Sequence, residues 1–190
     1  MTTSAELRMV FVTALKGATD AGQAVHSPFD WPTQNDSYPL IIVRAPKERK
    51  ESRNNGVGAP LYDVTTTFEI VARTRSAALA GDAGSELAIA ALEAIKGQIE
   101  VALINNPAVM VDPNNPSGAN RIKQFASVES DISTSSDGEM PMAELSMRIE
   151  VEFVQEPADF YPIPSNPIAG FDAGVVMPSG TVEPGLSITF

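Results

Sequence analysis

Strict alternation of apolar and polar side chains over residues 142–153 is the feature that most constrains the fold. Successive side chains of a β-strand point to opposite faces, so this pattern predicts one dry face and one wet face. Such a strand is typical of an antiparallel sheet that is covered by helices on one side only. The positions predicted to face the core are Leu145, Met147, Ile149, Val151 and Phe153.

Residues 62–73 repeat this alternation and are rich in β-branched side chains, which favours a second long strand. Its core-facing positions are Val64, Thr66, Phe68, Ile70 and Ala72. The apolar run 38–43 predicts a short buried strand, and further strands are predicted at 108–111 and 122–132. The polar, glycine-rich stretch 44–60 is interpreted as a projecting loop or hairpin.

Two segments have helical periodicity. The first begins after a predicted N-cap at Ser4 and ends near Gly22. Its apolar stripe is Leu7, Val10, Phe11, Ala14, Leu15 and Ala18. The second spans 78–103, with the stripe Leu87, Ala88, Ala91, Leu92, Ile95, Ile99 and Ala102. Residues 1–155 are therefore expected to form an α+β domain, a mainly antiparallel sheet packed on one face by two helices.

The composition changes at Glu156. Residues 156–190 hold six of the fifteen prolines and no lysine or arginine, so this segment cannot build a core of its own. It still carries apolar residues, which favours an extended C-terminal arm that docks on a surface, either of its own domain or of a neighbour. The predicted anchors are Phe160, Tyr161, Val176, Leu186, Ile188 and Phe190.

Charge and composition exclude several classes of function. A net charge of −11 disfavours general binding to nucleic acid. The absence of cysteine excludes disulfides, zinc–thiolate sites and a thiol nucleophile. No signal peptide or membrane-spanning run is recognised, so a soluble protein made in a reducing cytoplasm is expected.

No catalytic or cofactor signature stands out either. His26 is the only histidine, and its place in a turn before proline favours a structural role over that of a general base. Asp112, Asn114 and Asn115 are followed or interrupted by prolines that break a calcium-loop pattern. Gly56 and Gly58 lack the lysine of a phosphate loop. We therefore expect neither enzymatic activity nor a cofactor or metal.

Five basic residues fall between positions 44 and 53, within an acidic protein: Arg44, Lys47, Arg49, Lys50 and Arg53. They are interpreted either as a solvated loop balanced by Glu48 and Glu51 or as a contact loop for a neighbouring subunit or for passing DNA. Trp31 is a possible anchor for a partner, although a residue that closes a turn over the core is the favoured interpretation.

The order of these pieces resembles the tail terminator (tail completion) proteins of long-tailed bacteriophages. The resemblance covers residues 5–155. It lies in the order of the segments: the first helix is followed by Val25-His-Ser-Pro-Phe-Asp-Trp-Pro32, Tyr38-Pro-Leu-Ile-Ile-Val43 and Pro46-Lys-Glu-Arg-Lys-Glu-Ser52, and the long strands come after them. The arm at 156–190 departs from the compact form of that family.

The resemblance implies helices against a mainly antiparallel sheet, and a homo-oligomeric ring that is usually hexameric. Such a ring caps the tail tube, contacts the tube protein and the neck or connector protein, and lets DNA pass through its lumen at the tail–neck junction of the virion. A different class of function stays open at this point, a small-molecule or peptide-binding module with a pocket near Trp31.

Overall fold

The computed structural model describes residues 2–28, 38–54, 60–104, 106–112, 120–135 and 140–160, with four short strands beyond residue 169. The chain divides into two compact units, Met1–Pro157 and Ala158–Phe190. In chain order the first unit holds the elements α1 (Ser4–Leu15), β1 (Val25–His26), β2 (Leu40–Ser52), β3 (Tyr62–Arg75), α2 (Ala83–Ile104), α3 (Pro107–Met110), β4 (Gln124–Ser135) and β5 (Met142–Gln155).

The sheet of the first unit has five strands in the order β1-β2-β3-β5-β4. The short β1 runs parallel to β2, and every other neighbouring pair is antiparallel. The alternating strands β3 and β5 pair along their whole length, from Tyr62 opposite Gln155 to Arg75 opposite Met142. The two segments with the clearest sequence pattern therefore lie side by side at the centre of the sheet.

One face of the sheet carries the core. α1 packs on β2 and β1, and α2 packs on β5, β3 and β4. All five predicted core positions of β3 and all five of β5 are buried, which confirms both strand predictions. The rings of Phe11 and Phe68 join α1 to the sheet with centroids 4.6 Å apart. The predicted α+β fold, with two helices on one face of a mainly antiparallel sheet, is confirmed.

The ends of the helices differ from the sequence predictions. Thr3, and not Ser4, is the N-cap of α1, because its hydroxyl accepts a hydrogen bond from the Glu6 amide at 3.1 Å. α1 ends at Leu15, seven residues before Gly22, and Ala18 lies beyond it. α2 starts at Ala83 because Gly81, with a φ of 69°, precedes it in a turn.

Two other predictions are wrong in part. Residues 108–111 do not form a strand, since Asn106 caps the one-turn helix α3 by accepting a hydrogen bond from the Ala108 amide at 3.0 Å. Residues 44–52 are not a loop, because β2 continues through them and pairs with β3 to give the hairpin alternative. A register shift between Arg44 and Lys47 marks a β-bulge in this strand.

The second unit begins within the short helix α4 (Pro157–Phe160) and contains two small antiparallel pairs. β6 (Gly170–Asp172) pairs with β9 (Ser187–Thr189), and β7 (Val175–Val176) pairs with β8 (Val182–Glu183). The end of the chain thus adopts the predicted strand form over Ser187–Thr189, with its partner strand inside the same unit.

Candidate interaction surfaces

The five basic residues between positions 44 and 53 lie on or just after β2 and do not share one face. Arg44, Lys47 and Arg49 pair in register with Glu69, Thr67 and Thr65, so they belong to the sheet face turned away from the helices. Lys50 is opposite the buried Val64 and belongs to the helix side. Arg53 follows the strand. These residues are close together in the sequence, but the alternation of side chains along β2 divides those on the strand between the two faces of the sheet.

Most of these basic side chains have acidic partners. Arg44 lies 4.0 Å from Glu69, and Lys50 lies 3.3 Å from Glu48. Arg49 is paired with Glu51. The balance by Glu48 and Glu51 that the sequence suggested is therefore present. Among the residues that the structure describes, Lys47 is the member of this group that makes no ion pair.

Arg53 lies at the end of the hairpin where the connecting loop joins β2 to β3. Its guanidinium binds the Asp63 carboxylate, and the Lys123 ammonium approaches the same carboxylate at 3.4 Å. Hydrogen bonding to Arg53 lowers the pKa of Asp63 below its ordinary value of 3.8, and the same bond raises the pKa of Arg53. This arrangement assigns Arg53 a role in holding the hairpin together.

A second surface is the exposed flank of α2. All four charged residues of this helix, Glu86, Glu93, Lys96 and Glu100, lie on one flank, and the opposite flank is apolar. On that apolar flank Leu87 is 55% exposed and Val101 is 68% exposed, with the exposed Ala90, Ala91 and Ala94 between them. The prediction that Leu87 and Ala91 belong to the core stripe is therefore wrong.

A groove lies beside this flank, where α2 meets the turn after α1. It has a volume of about 380 Å³, and its walls include Ala18, Ala94, Gly97 and Val101. The Gln98 side chain closes one end by accepting a hydrogen bond from the Asp20 amide at 2.8 Å. Together with the exposed Leu87 and Val101, these small side chains leave an exposed apolar surface on this flank.

A larger groove, of about 450 Å³, separates α1 from α3. Its walls are mainly apolar, from Met9, Val10, Ala14 and Val109. Arg121 also lines it, with a side chain that is 6% exposed. Glu6, Thr13 and Asn106 are its other polar residues, and a mainly apolar groove with a few polar groups has the general form of a ligand or peptide site.

The bonds of Arg121 are long. Its guanidinium donates to the Ala108 carbonyl and to the Asp112 carboxylate, both at 3.3 Å, while Glu6 lies 3.9 Å from Nε. Nε itself is buried without a hydrogen-bond partner in the described part of the chain. Sequence reasoning missed Arg121, because nothing in its neighbourhood along the chain predicts burial.

Several predicted site residues cannot be placed on these surfaces. Trp31, Tyr161, Leu186 and Phe190 lie outside the described residues. Phe160 ends α4 and is half-buried. Val176 is opposite Val182 in the pair β7–β8, and Ile188 is opposite Phe171 in the pair β6–β9. The proposed roles of these residues as anchors stay predictions.

Membrane-spanning helices and metal-binding clusters are both absent from the described residues. None of the helices within them combines the length and the apolar character that a membrane crossing requires. Over the same residues, no cluster of three or more histidine or carboxylate side chains is arranged to hold a metal ion.

Comparisons with known proteins identify no family. No protein-family model matches the chain, and no curated protein matches it. The solved structures that match include a chain from the "Virion of native gene transfer agent (GTA) particle", at 16% identity and a TM-score of 0.35. That match covers 75% of this chain and 84% of the other chain. A TM-score this low is below the range of chains that share one fold.

Proposed function

We propose that this chain is a virion structural protein, a tail terminator whose copies form a ring. The ring caps a bacteriophage tail tube and joins it to the neck or head connector at the tail–neck junction. The observation that carries the proposal is the agreement between the fold implied by the resemblance and the fold of the first unit. In both, helices pack against a mainly antiparallel sheet, and in this unit two helices cover one face of it.

The surfaces of the first unit support a function based on assembly. The exposed Leu87 and Val101 lie on a flank lined with alanine, and an exposed apolar flank of this kind is a feature of protein–protein contacts. The mixed charges on the other face of the sheet suit a contact that is fixed in orientation by electrostatics. In this proposal the protein works without catalysis and without a cofactor.

The proposed mechanism is geometric. A ring with head-to-tail contacts has two unlike faces, so that one face binds the tube protein and the other binds the connector protein. Its lumen lets DNA pass from head to tail. Six copies are expected from the resemblance, and the copies are made in the host cytoplasm before they join the virion.

Negative-stain electron microscopy of the purified full chain tests this proposal. The protein is imaged alone and after mixing with purified tail tubes, with an unrelated acidic protein of similar size as the control. Rings, or tubes with a capped end, are the expected result. A chain that stays monomeric by light scattering and leaves the tube ends bare contradicts the proposal.

The groove between α1 and α3 favours a second candidate, a module that binds a peptide or small molecule. The sequence placed such a pocket near Trp31, whereas this groove is lined by Met9, Val10 and the buried Arg121. A monomer at high concentration that binds an added peptide or small molecule, measured by isothermal titration calorimetry, supports this candidate. If the Met9→Lys variant no longer binds that ligand but has the same stability to unfolding, the binding site is the groove.

A further inference from the structure

The sheet of the first unit has two long open edges. β4 has one neighbour, β5, among the described strands. At the other side β1 pairs with β2 at Ile41 and Ile42, and no other strand of the described residues pairs with this edge from Val43 onward. Both free stretches are exposed, β2 from Arg44 to Ser52 and most of β4. Unpaired strand edges are templates for pairing with another chain unless a protein protects them.

The two edges carry opposite charge. β2 has four basic residues against two acidic ones, while β4 has Glu129 and Asp131 and no basic residue. Part of this charge shares one face of the sheet. Glu129 is in register with Arg148 and Asp131 with Ser146, both on the face of Lys47 and Arg49, whereas Lys50 and Glu48 lie on the helix side. Across the described residues, Lys47, Glu129 and Asp131 form no ion pair. Each edge therefore has charge left for a partner.

The direction of the strands fits a repeated arrangement. β2, β3, β5 and β4 alternate in direction, so β2 and β4 run in opposite senses. A copy related by rotation about an axis near the strand direction would place its β4 antiparallel to β2 of the first copy. The alternation would continue without interruption from one copy to the next.

The same charges act against the symmetric alternatives. Two β2 edges would bring lysine and arginine together, and two β4 edges would bring Glu129 and Asp131 together, so both like-with-like pairings are disfavoured. A contact between unlike edges is heterologous, and such contacts close into rings when the rotation allows. Pro46 and the bulge beside it confine the pairing stretch of β2 to Lys47–Ser52.

We infer that the β2 edge of one copy docks beside the β4 edge of the next copy, with Lys47 and Arg49 facing Glu129 and Asp131. This inference rests on the proposed function in one respect: it requires that copies of this chain associate with one another. It adds which surfaces meet and why the subunits join head to tail.

Cysteine cross-linking tests the interface directly, because the native chain contains no cysteine. Arg49→Cys is combined in one chain with Ser127→Cys, Glu129→Cys or Asp131→Cys, so that three registers are sampled. Oxidation should join the subunits of at least one variant into a ladder on a non-reducing gel. The matched control combines Arg49→Cys with Glu93→Cys on the charged flank of α2, and it should give no ladder.

Charge exchange is a second test, and its result does not depend on the register in which β2 and β4 of neighbouring copies pair. The double variant Glu129→Lys, Asp131→Lys should raise the concentration needed for assembly at least about tenfold. The loss of one exposed ion pair alone weakens assembly by less than about tenfold, but two pairs are lost here and the reversed charges add repulsion. Lys47→Glu with Arg49→Glu should do the same. The chain with all four changes should assemble nearly as well as the native chain, with thermal unfolding of each variant as the folding control.

The outcomes separate this interface from the function on which it rests. If the native chain forms rings but none of the three double-cysteine variants gives a ladder and charge reversal has no effect on assembly, the interface is overturned and the ring proposal stands. A native chain that is monomeric alone and on tail tubes overturns both. Ladders together with rescue by charge exchange support the interface.

Discussion

The guanidinium of Arg53 donates two hydrogen bonds to the carboxylate of Asp63, from Nε at 2.6 Å and from Nη2 at 2.7 Å. These residues flank the ends of β2 and β3, and the Arg53 amide also donates to the Leu61 carbonyl at 2.9 Å. The planar fork of arginine matches a carboxylate in this way, which gives the pair a defined geometry at an exposed position.

Asp63→Asn should lower the Tm slightly at neutral pH, because it removes the charged partner of Arg53. The pKa of Asp63 is lower in the folded protein than in the unfolded chain, so its contribution is complete above the ordinary value of 3.8 and is lost as the pH falls through the folded pKa. Thermal unfolding of both proteins over a pH series should therefore show the difference in Tm shrinking in acid. A difference that grows in acid contradicts the assignment.

Leu92→Ala and Leu87→Ala form a matched pair on α2, with side chains that are 0% and 55% exposed. The first should lower the free energy of unfolding by about 2–5 kcal/mol, because it leaves a cavity in the core. The second should change it by less than about 0.5 kcal/mol. Urea denaturation checks both values, and equal losses would place Leu87 back in the core.

Thr3→Ala should destabilise the protein by about 1 kcal/mol, because the Glu6 amide loses the cap that satisfies it. Thr13→Ala is the control in the same helix. Its hydroxyl bonds only the Met9 carbonyl one turn back, and alanine is the better helix former. Chemical denaturation of the two variants should give a loss for Thr3→Ala alone.

Arg121→Ala should cost about 1–3 kcal/mol, since it removes a buried guanidinium that donates to the carboxylate of Asp112 and to the carbonyl of Ala108. Lys123→Ala removes an exposed ammonium that lies 3.4 Å from Asp63 and 3.6 Å from Glu152, and should cost at most about 1 kcal/mol. Equilibrium unfolding by urea compares them. The reverse order would mean that the buried guanidinium is not a structural group.

Removal of residues 158–190 tests the arm. The core clusters lie within residues 7–153, so the truncated chain should keep its circular dichroism spectrum and most of its Tm. Ring or tube-end assembly, measured by light scattering and microscopy, should weaken if the arm reaches a neighbour. Assembly equal to that of the full chain would show that the arm has no part in it.

The regular parts of the fold could be predicted because side-chain alternation is imposed by strand geometry alone. β3 and β5 were predicted within two residues at each end for this reason. For the charged half of β2 the sequence left loop and hairpin open, because these residues lie exposed at an edge of the sheet, where a polar strand has no apolar alternation that distinguishes it from a loop. α3 was signalled by Asn106 and Pro107, a capping residue followed by a first-turn proline, but its apolar residues suggested a strand.

The candidate surfaces were less predictable because they depend on contacts between distant segments. The basic residues were found as a group, yet alternation along β2 divides Lys50 from Lys47 and Arg49. Leu87 and Leu92 differ only in their angle around α2, and the alanine content of the helix hid which of its flanks meets the sheet. The burial of Arg121 arises from α1, α3 and Asp112 together, so no local sequence signal marks it.

The passage of β2 from a covered half to an exposed half has a thermodynamic consequence. Its first four residues, Leu40–Val43, are buried, whereas every residue from Arg44 to Ser52 is at least partly exposed. The first half is packed in the core, so it separates from the sheet only when the domain unfolds. The second half is held mainly by backbone hydrogen bonds to β3 and by ion pairs. One continuous strand thus spans two levels of local stability, and its outer half can open without unfolding the domain.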